Sequence, residues 1–145
     1  MSSFDIDAIE QACQRLINRF ALYNDMGQFE QLAALFAEDG AFARPTTPDD
    51  FIVGRAAILE SFTSRPGGKV TRHLLSNTVI DVQDADHATA ISYVTQYSAN
   101  PDSPAKFGLK ANPTQLVGEY YDSFVRTAEG WKFAKRSGRV SITAE

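Results

Sequence analysis

The 145-residue chain has a single cysteine, two histidines and no long apolar run. Because Cys13 is alone, an intrachain disulfide and a metal site built from cysteines are both excluded. No apolar stretch approaches the roughly 18 residues that a membrane span requires, and the first residues lack the basic start and apolar core of a signal peptide. We therefore expect a cytoplasmic protein with no membrane association.

Charge is also sparse and evenly spread. The 14 basic and 18 acidic residues give a net charge of −4, without the basic patch that nucleic-acid binding needs. Gly67-Gly68 lacks the context of a phosphate-binding loop, and no GxSxG nucleophile motif is present. His73 and His87 have no partner at metal-ligand spacing. The sequence therefore predicts no nucleic-acid partner, no metal and no cofactor.

Length and composition are typical of one globular domain, which we expect to span residues 1–145. Hydrophobic residues make up 43% of the chain and charged residues 22%, both near ordinary values. The ten phenylalanines and five tyrosines indicate either an aromatic-lined pocket or simply an aromatic-rich core.

Apolar spacing predicts helices in the first half of the chain. From Ile6 the apolar residues recur at helical intervals up to Gly27, a natural left-handed stop. A second short helix is predicted over 28–37 and a third over 56–62, where Pro-Gly-Gly follows.

The second half changes to period two, which predicts strands over 69–80, 88–97, 116–126 and 131–140 after a short strand at 41–44. Helices followed by an antiparallel meander favour an α+β fold, with the helices packed on one face of a curved sheet. The segment 98–115 contains three prolines and no periodicity, so it is predicted as a long loop: a lid, a flexible excursion or an oligomer contact.

Asp25 is unusual because it lies in the last turn of the first helix. The carbonyl end of a helix disfavours negative charge by roughly 0.3–1 kcal/mol and would raise the pKa of a carboxyl group. Such a residue is either functional or an ordinary aspartate that bonds to nearby backbone.

His73 lies at the start of a predicted strand, on the same face as Leu75, Asn77 and Val79. If those side chains point into a cavity, the imidazole of His73 points there too. Histidine, with an ordinary pKa near ~6.5, is suited to general-base catalysis at neutral pH. The alternative is a hydrogen-bonded histidine at a sheet end. His87 lies in a turn and is interpreted as a solvated hairpin residue.

Four segments together resemble the SnoaL-like family of the nuclear-transport-factor-two-like superfamily, which includes scytalone dehydratase and bile-acid dehydratase relatives. They are RFALYNDMGQFEQLAALFAEDGAF, VGRAAILESF, RHLLSNTVIDV and LVGEYYDSFVRTAEGWKFAKR. The resemblance implies a cone-shaped, cystatin-like roll: a strongly bent antiparallel sheet around helices, with a pocket inside.

The resemblance also implies an aspartate and a histidine that face each other in the pocket, at Asp25 and His73. Relatives commonly have a tyrosine five residues before the aspartate, where this chain has Phe20. Tyr23 is near in sequence but on another helical face. The asparagine of the family's HxxxN pattern is present as Asn77.

The leading functional hypothesis is a cofactor-free dehydratase, isomerase or cyclase that acts on a small hydrophobic cyclic or polycyclic substrate. In it His73 removes a carbon-bound proton, Asp25 orients the imidazole, and Tyr97 or Tyr120 donates a proton. Phe20, Tyr23 and Asn77 would complete the substrate pocket.

Two alternatives are a noncatalytic pocket for a small apolar ligand, with Phe20 replacing an unneeded phenol, and the structural small subunit of a ring-hydroxylating dioxygenase. The resemblance further implies a homodimer or homotrimer that pairs through the outer sheet face. Val117, Tyr121 and Val125 would share one face of a strand and serve that role, or else cover the helices.

Overall fold

Three helices form where helical spacing predicts them in the computed structural model, which describes residues 4–145. Residues 1–3 of the expected domain lie outside the described part. The helices are α1 (Ile6–Asp25), α2 (Phe29–Ala33) and α3 (Arg55–Thr63). Asp5 caps α1 by accepting a hydrogen bond from the backbone N–H of Ala8, and Gly27 turns the chain after α1 with φ 70°.

The seven strands form one mixed sheet. They are β1 (Phe36–Ala43), β2 (Ile52–Val53), β3 (Val70–Val82), β4 (His87–Pro104), β5 (Leu109–Ala111), β6 (Gln115–Thr127) and β7 (Gly130–Ala144). Their order is β2-β1-β7-β6-β4-β3, and β5 pairs with β4. The predicted α+β class is confirmed. The sheet is not wholly antiparallel, because β1 runs parallel to β7.

The prediction of a second helix over 28–37 is wrong beyond Ala33. Phe36 already belongs to β1 and pairs with Phe133 of β7, and the carbonyl of Leu35 accepts a hydrogen bond from the Phe133 N–H at 2.9 Å. Leu35, Phe36 and Ala37 are all buried. A short apolar run that is buried on every side carries no period, so spacing alone does not distinguish helix from strand.

The predicted loop at 98–115 is also wrong, because most of it extends the sheet. β4 continues to Pro104, and β5 returns beside it after a turn at Gly108, where φ is 66°. Two hydrogen bonds join Asn112 to Ser98, one from the backbone N–H at 2.8 Å and one from the side chain at 3.0 Å. Pro101 and Pro104 lie in this small hairpin, where a missing backbone donor is tolerated, and Pro113 lies between β5 and β6.

A core of aromatic and aliphatic side chains fills the space between α1 and the sheet. Its centre is Phe20, which is 1% exposed. The rings that lie within 5.5–6.1 Å of the Phe20 ring centroid are those of Phe36, Phe42, Phe62, Tyr120 and Phe133. The aromatic content therefore builds a core, and part of that core also lines the cavity described below. No helix in the described residues is long and apolar enough to cross a membrane.

Gly118 allows β6 and β7 to approach each other unusually closely. The register of the two strands shifts between Val117 and Gly118, as expected for a bulge. A Cβ at Gly118 would lie 1.9 Å from the backbone carbonyl oxygen of Arg139, which has no room to move without displacing β7. Position 118 requires glycine because a Cβ would collide with β7, and not because of its backbone φ angle.

We predict that Gly118→Ala destabilises the protein by roughly 1–3 kcal/mol, because the added methyl group must push the two strands apart. Urea unfolding followed by circular dichroism would measure the change. Gly67→Ala is the matched control, since a Cβ there meets nothing within 4 Å. Equal urea midpoints for the two variants would contradict the prediction.

Candidate active site

Asp25 and His73 lie side by side where the end of α1 meets the start of β3. Nδ1 of His73 lies 2.5 Å from Oδ1 of Asp25, and the backbone N–H of His73 donates to Oδ2 at 2.9 Å. The hydroxyl of Thr71 donates to Oδ1 at 2.9 Å. The side chains of Asp25 and His73 are only 6% and 13% exposed. The carboxylate therefore accepts three hydrogen bonds in a nearly enclosed place.

The pKa of Asp25 is lowered, contrary to the increase that its position at the helix end predicts. Burial on its own would raise the pKa, but hydrogen bonds from the ring and backbone of His73, the positive charge of a protonated His73 and the hydrogen bond from Thr71 outweigh burial. Each of these interactions favours the ionised carboxylate. Asp25 is consequently an anion at neutral pH.

The charge on Asp25 fixes the orientation and the tautomer of His73. An ionised carboxylate can only accept, so Nδ1 carries the proton and donates it to Asp25. When the imidazole is neutral, the other ring nitrogen, Nε2, is an acceptor, and it has no hydrogen-bond partner among the residues the structure describes. A neutral imidazole with a free Nε2 beside a cavity is the arrangement of a general base.

A cavity of about 200 Å³, here called the inner compartment, opens beside His73. Its apolar walls come from α1, α3 and four strands, with Phe20, Phe42, Phe62, Val94, Leu116 and Val140 as the main apolar residues. A wider outer compartment of about 580 Å³, the vestibule, is lined by both Asp25 and His73. His73 and Gln96 line both spaces, so the imidazole lies at the boundary between them.

Two of the five substrate-binding residues expected from the sequence line the inner compartment. Phe20 occupies the place of the family tyrosine and contributes only a hydrocarbon ring. Tyr120 is 4% exposed, and its hydroxyl has no hydrogen-bond partner in the described part of the chain. Burial raises the pKa of the Tyr120 phenol, so the hydroxyl stays protonated and can donate.

The other three do not reach either compartment. Tyr23 packs against the hydrophobic core. Tyr97 is 45% exposed on the outer face, because strand alternation turns its neighbour Gln96 inward instead. Asn77 is exposed with φ 51°, at a register shift between Ser76 and Val79. Because of this bulge, Val79 does not share a face with His73 as predicted: Val79 is 60% exposed, whereas His73 faces the cavity.

Several residues of the site were not identified from the sequence. Thr71 was detectable in principle, because it lies two positions before His73 and therefore on the same face of β3. Arg44 and Arg65 line the inner compartment from the end of β1 and from the loop after α3. No periodicity relates those two positions to His73, so only the fold brings them together.

A buried ion pair lies behind the cavity. Nε of Arg136 donates to Oδ1 of Asp122 at 2.9 Å, and both side chains are fully buried. The guanidinium carbon of Arg136 lies 4.4 Å from the ring centroid of Phe20 and 3.8 Å from that of Tyr120. Burial raises the pKa of Asp122 to about 6, although the attraction of Arg136 and its hydrogen bond lower it. Arg136 does not itself line the inner compartment.

Within residues 4–145, no three His, Cys, Asp or Glu side chains lie close enough together to hold a metal ion. Burial raises the pKa of the Cys13 thiol to about 12, which makes it a poor nucleophile or ligand. Apart from arginines and Lys69, the titratable side chains that line the two compartments are Asp25, His73 and Tyr120.

Comparison with known families agrees with the fold. A SnoaL-like domain model matches residues 8–137. The chain belongs to the SnoaL-like family. No curated protein matches this SnoaL-like chain in sequence.

Solved structures similar to this SnoaL-like protein include a candidate scytalone dehydratase from Novosphingobium aromaticivorans. It is 27% identical, with 94% of this chain and 87% of that chain covered and a TM-score of 0.75. An NTF2-like protein with a cystatin-like fold from the same organism is 21% identical over 96% and 92% of the two chains, with a TM-score of 0.67. A hexachlorocyclohexane dehydrochlorinase, LinA type 2, is 19% identical over 94% and 88%, with a TM-score of 0.78. The last two likenesses establish the NTF2-like fold alone.

We predict that Asp25→Asn destabilises the SnoaL-like protein by about 1–3 kcal/mol at neutral pH, because an amide has only one acceptor oxygen and its NH2 group would face a donor that now bonds to the carboxylate. The loss should depend on pH. Because the pKa of Asp25 is lowered in the folded state, its stabilisation is complete above the ordinary aspartate pKa of about 3.9 and disappears as the pH falls through the lower folded value.

Urea unfolding of wild type and Asp25→Asn between pH 2 and pH 7 would test this. The difference in unfolding free energy should be large at pH 5 and shrink toward zero as the pH falls below about 4. Thr71→Val removes a single donor and should give a smaller loss that also shrinks in acid. A difference that grows as the pH falls from 4 to 2 would contradict the prediction.

Proposed function

We propose that this SnoaL-like protein is a cofactor-free acid–base enzyme of the dehydratase, isomerase or cyclase type that acts on a small hydrophobic cyclic substrate. The observation that carries the proposal is the hydrogen-bonded pair of Asp25 and His73, whose free Nε2 adjoins an aromatic-walled cavity. The pair supplies a base with a fixed tautomer, and the cavity supplies a place for a ring.

The first step is proton removal from carbon. Neutral His73 accepts at Nε2 a proton from a carbon next to a carbonyl group, and the C–H electron pair becomes the new carbon–carbon double bond of an enolate. The resulting imidazolium keeps its Nδ1–H bond to Asp25, whose negative charge stabilises the cation. Thr71 and the backbone N–H of His73 hold Asp25 in place during this change.

The second step depends on the substrate. In a dehydration, the enolate re-forms its carbonyl group and expels a hydroxyl from the neighbouring carbon, which leaves as water after it takes a proton. In an isomerisation, the proton returns to a different carbon. The imidazolium of His73 and the hydroxyl of Tyr120 are the two proton donors at the cavity, and Tyr120 can also donate a hydrogen bond to the enolate oxygen.

Cavity size restricts the substrate. An apolar cavity of about 150 Å³ is enough to hold benzene, so the inner compartment of about 200 Å³ suits one ring or two fused small rings. Larger polycyclic substrates would have to extend into the vestibule. The similarity to a candidate scytalone dehydratase supports the dehydratase form of the reaction over the other two.

We predict that His73→Ala lowers turnover by at least 10²-fold on any substrate found in a panel of cyclic β-hydroxy ketones, because a positioned base contributes roughly 10²–10⁴-fold. Loss of the ultraviolet or visible signal of the substrate would measure turnover. Tyr97→Phe is the matched control and should leave turnover unchanged, since Tyr97 lies on the outer face. Unchanged turnover in His73→Ala would refute the mechanism.

One observation favours a noncatalytic binding protein as the second candidate. Phe20 puts a hydrocarbon ring where relatives carry a phenol, and five aromatic rings surround it, so the position favours packing over proton transfer. For this candidate, the panel would contain ligands that bind without turnover, and His73→Gln and Asp25→Asn would bind them as tightly as wild type does.

We further propose that a second copy of the chain covers the outer sheet face. Val79, Ile91 and Tyr121 pair across β3, β4 and β6, and they are 60%, 47% and 39% exposed. We call these three residues the outer apolar row. An exposed apolar row on the outer face of a sheet is typical of a homo-oligomer contact.

We predict that wild type elutes as a dimer or trimer and that Ile91→Glu elutes as a monomer, because a carboxylate in the outer apolar row would be buried without a partner. Size-exclusion chromatography with light scattering would measure the mass. Val53→Glu is the control, since Val53 is 65% exposed on β2 at the opposite edge of the sheet. A monomeric wild type would contradict the proposed contact.

A further inference from the structure

The inner compartment is lined by positively charged side chains that have no part in the Asp25–His73 pair. Three arginines line it, namely Arg44, Arg65 and Arg139, and no aspartate or glutamate does. This is unexpected in a chain whose net charge is −4. Arg139 has a carboxylate partner in Asp49 at 3.3 Å. Within residues 4–145, neither Arg44 nor Arg65 has a carboxylate within 4.0 Å, so neither charge is neutralised by the protein.

Both unpaired guanidinium groups lie against the ring of Phe62. The guanidinium carbon of Arg44 is 5.0 Å from the ring centroid and that of Arg65 is 4.7 Å from it. The two carbons can therefore be no farther apart than the sum of these distances. Burial lowers the pKa of Arg44, and burial together with the charge of Arg44 lowers the pKa of Arg65. The fold thus holds two like charges close together at a cost.

Each guanidinium is anchored and still keeps free donors. Nη2 of Arg44 donates to the backbone carbonyl of Ser61 at 2.8 Å, and Nη2 of Arg65 donates to the side-chain oxygen of Asn24 at 3.0 Å. In the described structure, Nε and Nη1 of both arginines have no hydrogen-bond partner in the protein. The unused N–H donors of a guanidinium group form a planar fork that suits the two oxygens of a carboxylate.

The vestibule continues the same charge toward solvent. Arg65 and Lys69 line it, with Asp25 as its one acidic residue, and Asp25 is already occupied by three donors. An anion in the vestibule would be attracted toward Arg65, which also lines the inner compartment together with Arg44. The apolar walls around Phe20, by contrast, suit an uncharged ring.

We propose that the substrate of this site is a small ring compound that bears a carboxylate, and that Arg44 and Arg65 bind the carboxylate while the ring occupies the apolar part of the inner compartment. This rests on the proposed function, since it assigns a substrate class to the same site. Arg44 and Arg65 are substrate-binding residues in this arrangement. His73 acts on a carbon of the ring that lies away from the carboxylate.

Isothermal titration with matched pairs of ligands tests the proposal: benzoate, cyclohexanecarboxylate and 2-naphthoate, each against its neutral amide. Wild type should bind at least one carboxylate tenfold or more tightly than the corresponding amide. Added sodium chloride should weaken the carboxylate and leave the amide unchanged. Equal affinity within every pair, or no binding by any of the carboxylates, would overturn the proposal.

Single substitutions assign the preference to residues. Arg65→Gln and Arg44→Gln should each reduce the preference for the carboxylate to threefold or less, whereas Arg139→Gln, which removes the same charge from a paired arginine, should retain it. Arg65 is partly exposed on the loop after α3. Its substitution should therefore leave a folded protein in which to measure binding, even if Arg44→Gln unfolds because Ser61 loses its partner. A loss in Arg139→Gln equal to that in Arg65→Gln would contradict a specific role for the unpaired arginines.

A third variant separates this proposal from the proposed enzyme. His73→Ala should keep the tenfold preference for the carboxylate, because the imidazole does not hold the anion. If His73→Ala keeps both the carboxylate preference and full turnover, the acid–base mechanism is refuted but the carboxylate proposal is not. A preference that disappears in His73→Ala would refute the assignment of the anion to the two arginines.

Discussion

The site depends on one carboxylate that bridges the end of a helix and the start of a strand. The helix terminus opposes the charge of Asp25 by roughly 0.3–1 kcal/mol. Hydrogen bonds to a charged group contribute about 1.5–3 kcal/mol each, and Asp25 accepts three of them. The hydrogen bonds therefore outweigh the helix dipole. The same bonds join α1 to β3, so the interaction that sets the tautomer of His73 also closes one side of the cone.

β3 performs two different tasks because of the bulge at Asn77. Before the bulge, alternate side chains that include Thr71 and His73 face the cavity and its mouth. After it, the register shifts, and Ile80 and Val82 pack against the core beneath α1. The residue in the bulge itself has a positive φ and is turned outward. A regular strand would have placed Val79 on the cavity side and lost the contact with α1.

Those features that depend on local pattern were predictable from the sequence. The spacing from Ile6 and the stop at Gly27 place α1 correctly, and the period-two segments locate the long strands. Asp25 and His73 were singled out by their places in the helix and the strand, and the resemblance implied that they face each other. Their hydrogen bond is a feature of the tertiary structure, and so is the lowered pKa of Asp25, which reverses the expectation from the helix dipole alone.

What the sequence did not predict depends on partners far along the chain. Phe36 is in a strand because Phe133 pairs with it, and the segment after Tyr97 is a hairpin because β5 returns to β4. Tyr97 faces outward because its neighbour Gln96 faces inward. Apolar and polar residues do not alternate regularly in this part of β4, so the sequence does not show which of the two side chains faces the core. The convergence of Arg44 and Arg65 on Phe62 has no sequence signal.

Phe20 contacts both the inner compartment and the buried Arg136 side chain. One side of its ring forms the bottom of the cavity, and the ring also lies 4.4 Å from the guanidinium carbon of Arg136, two of whose nitrogens are buried without partners in the described residues. Introducing the relatives' phenol at this position would add a polar oxygen next to that buried cation. Evolution or design at position 20 therefore changes substrate chemistry and interior electrostatics in a single step, and neither can be adjusted without the other.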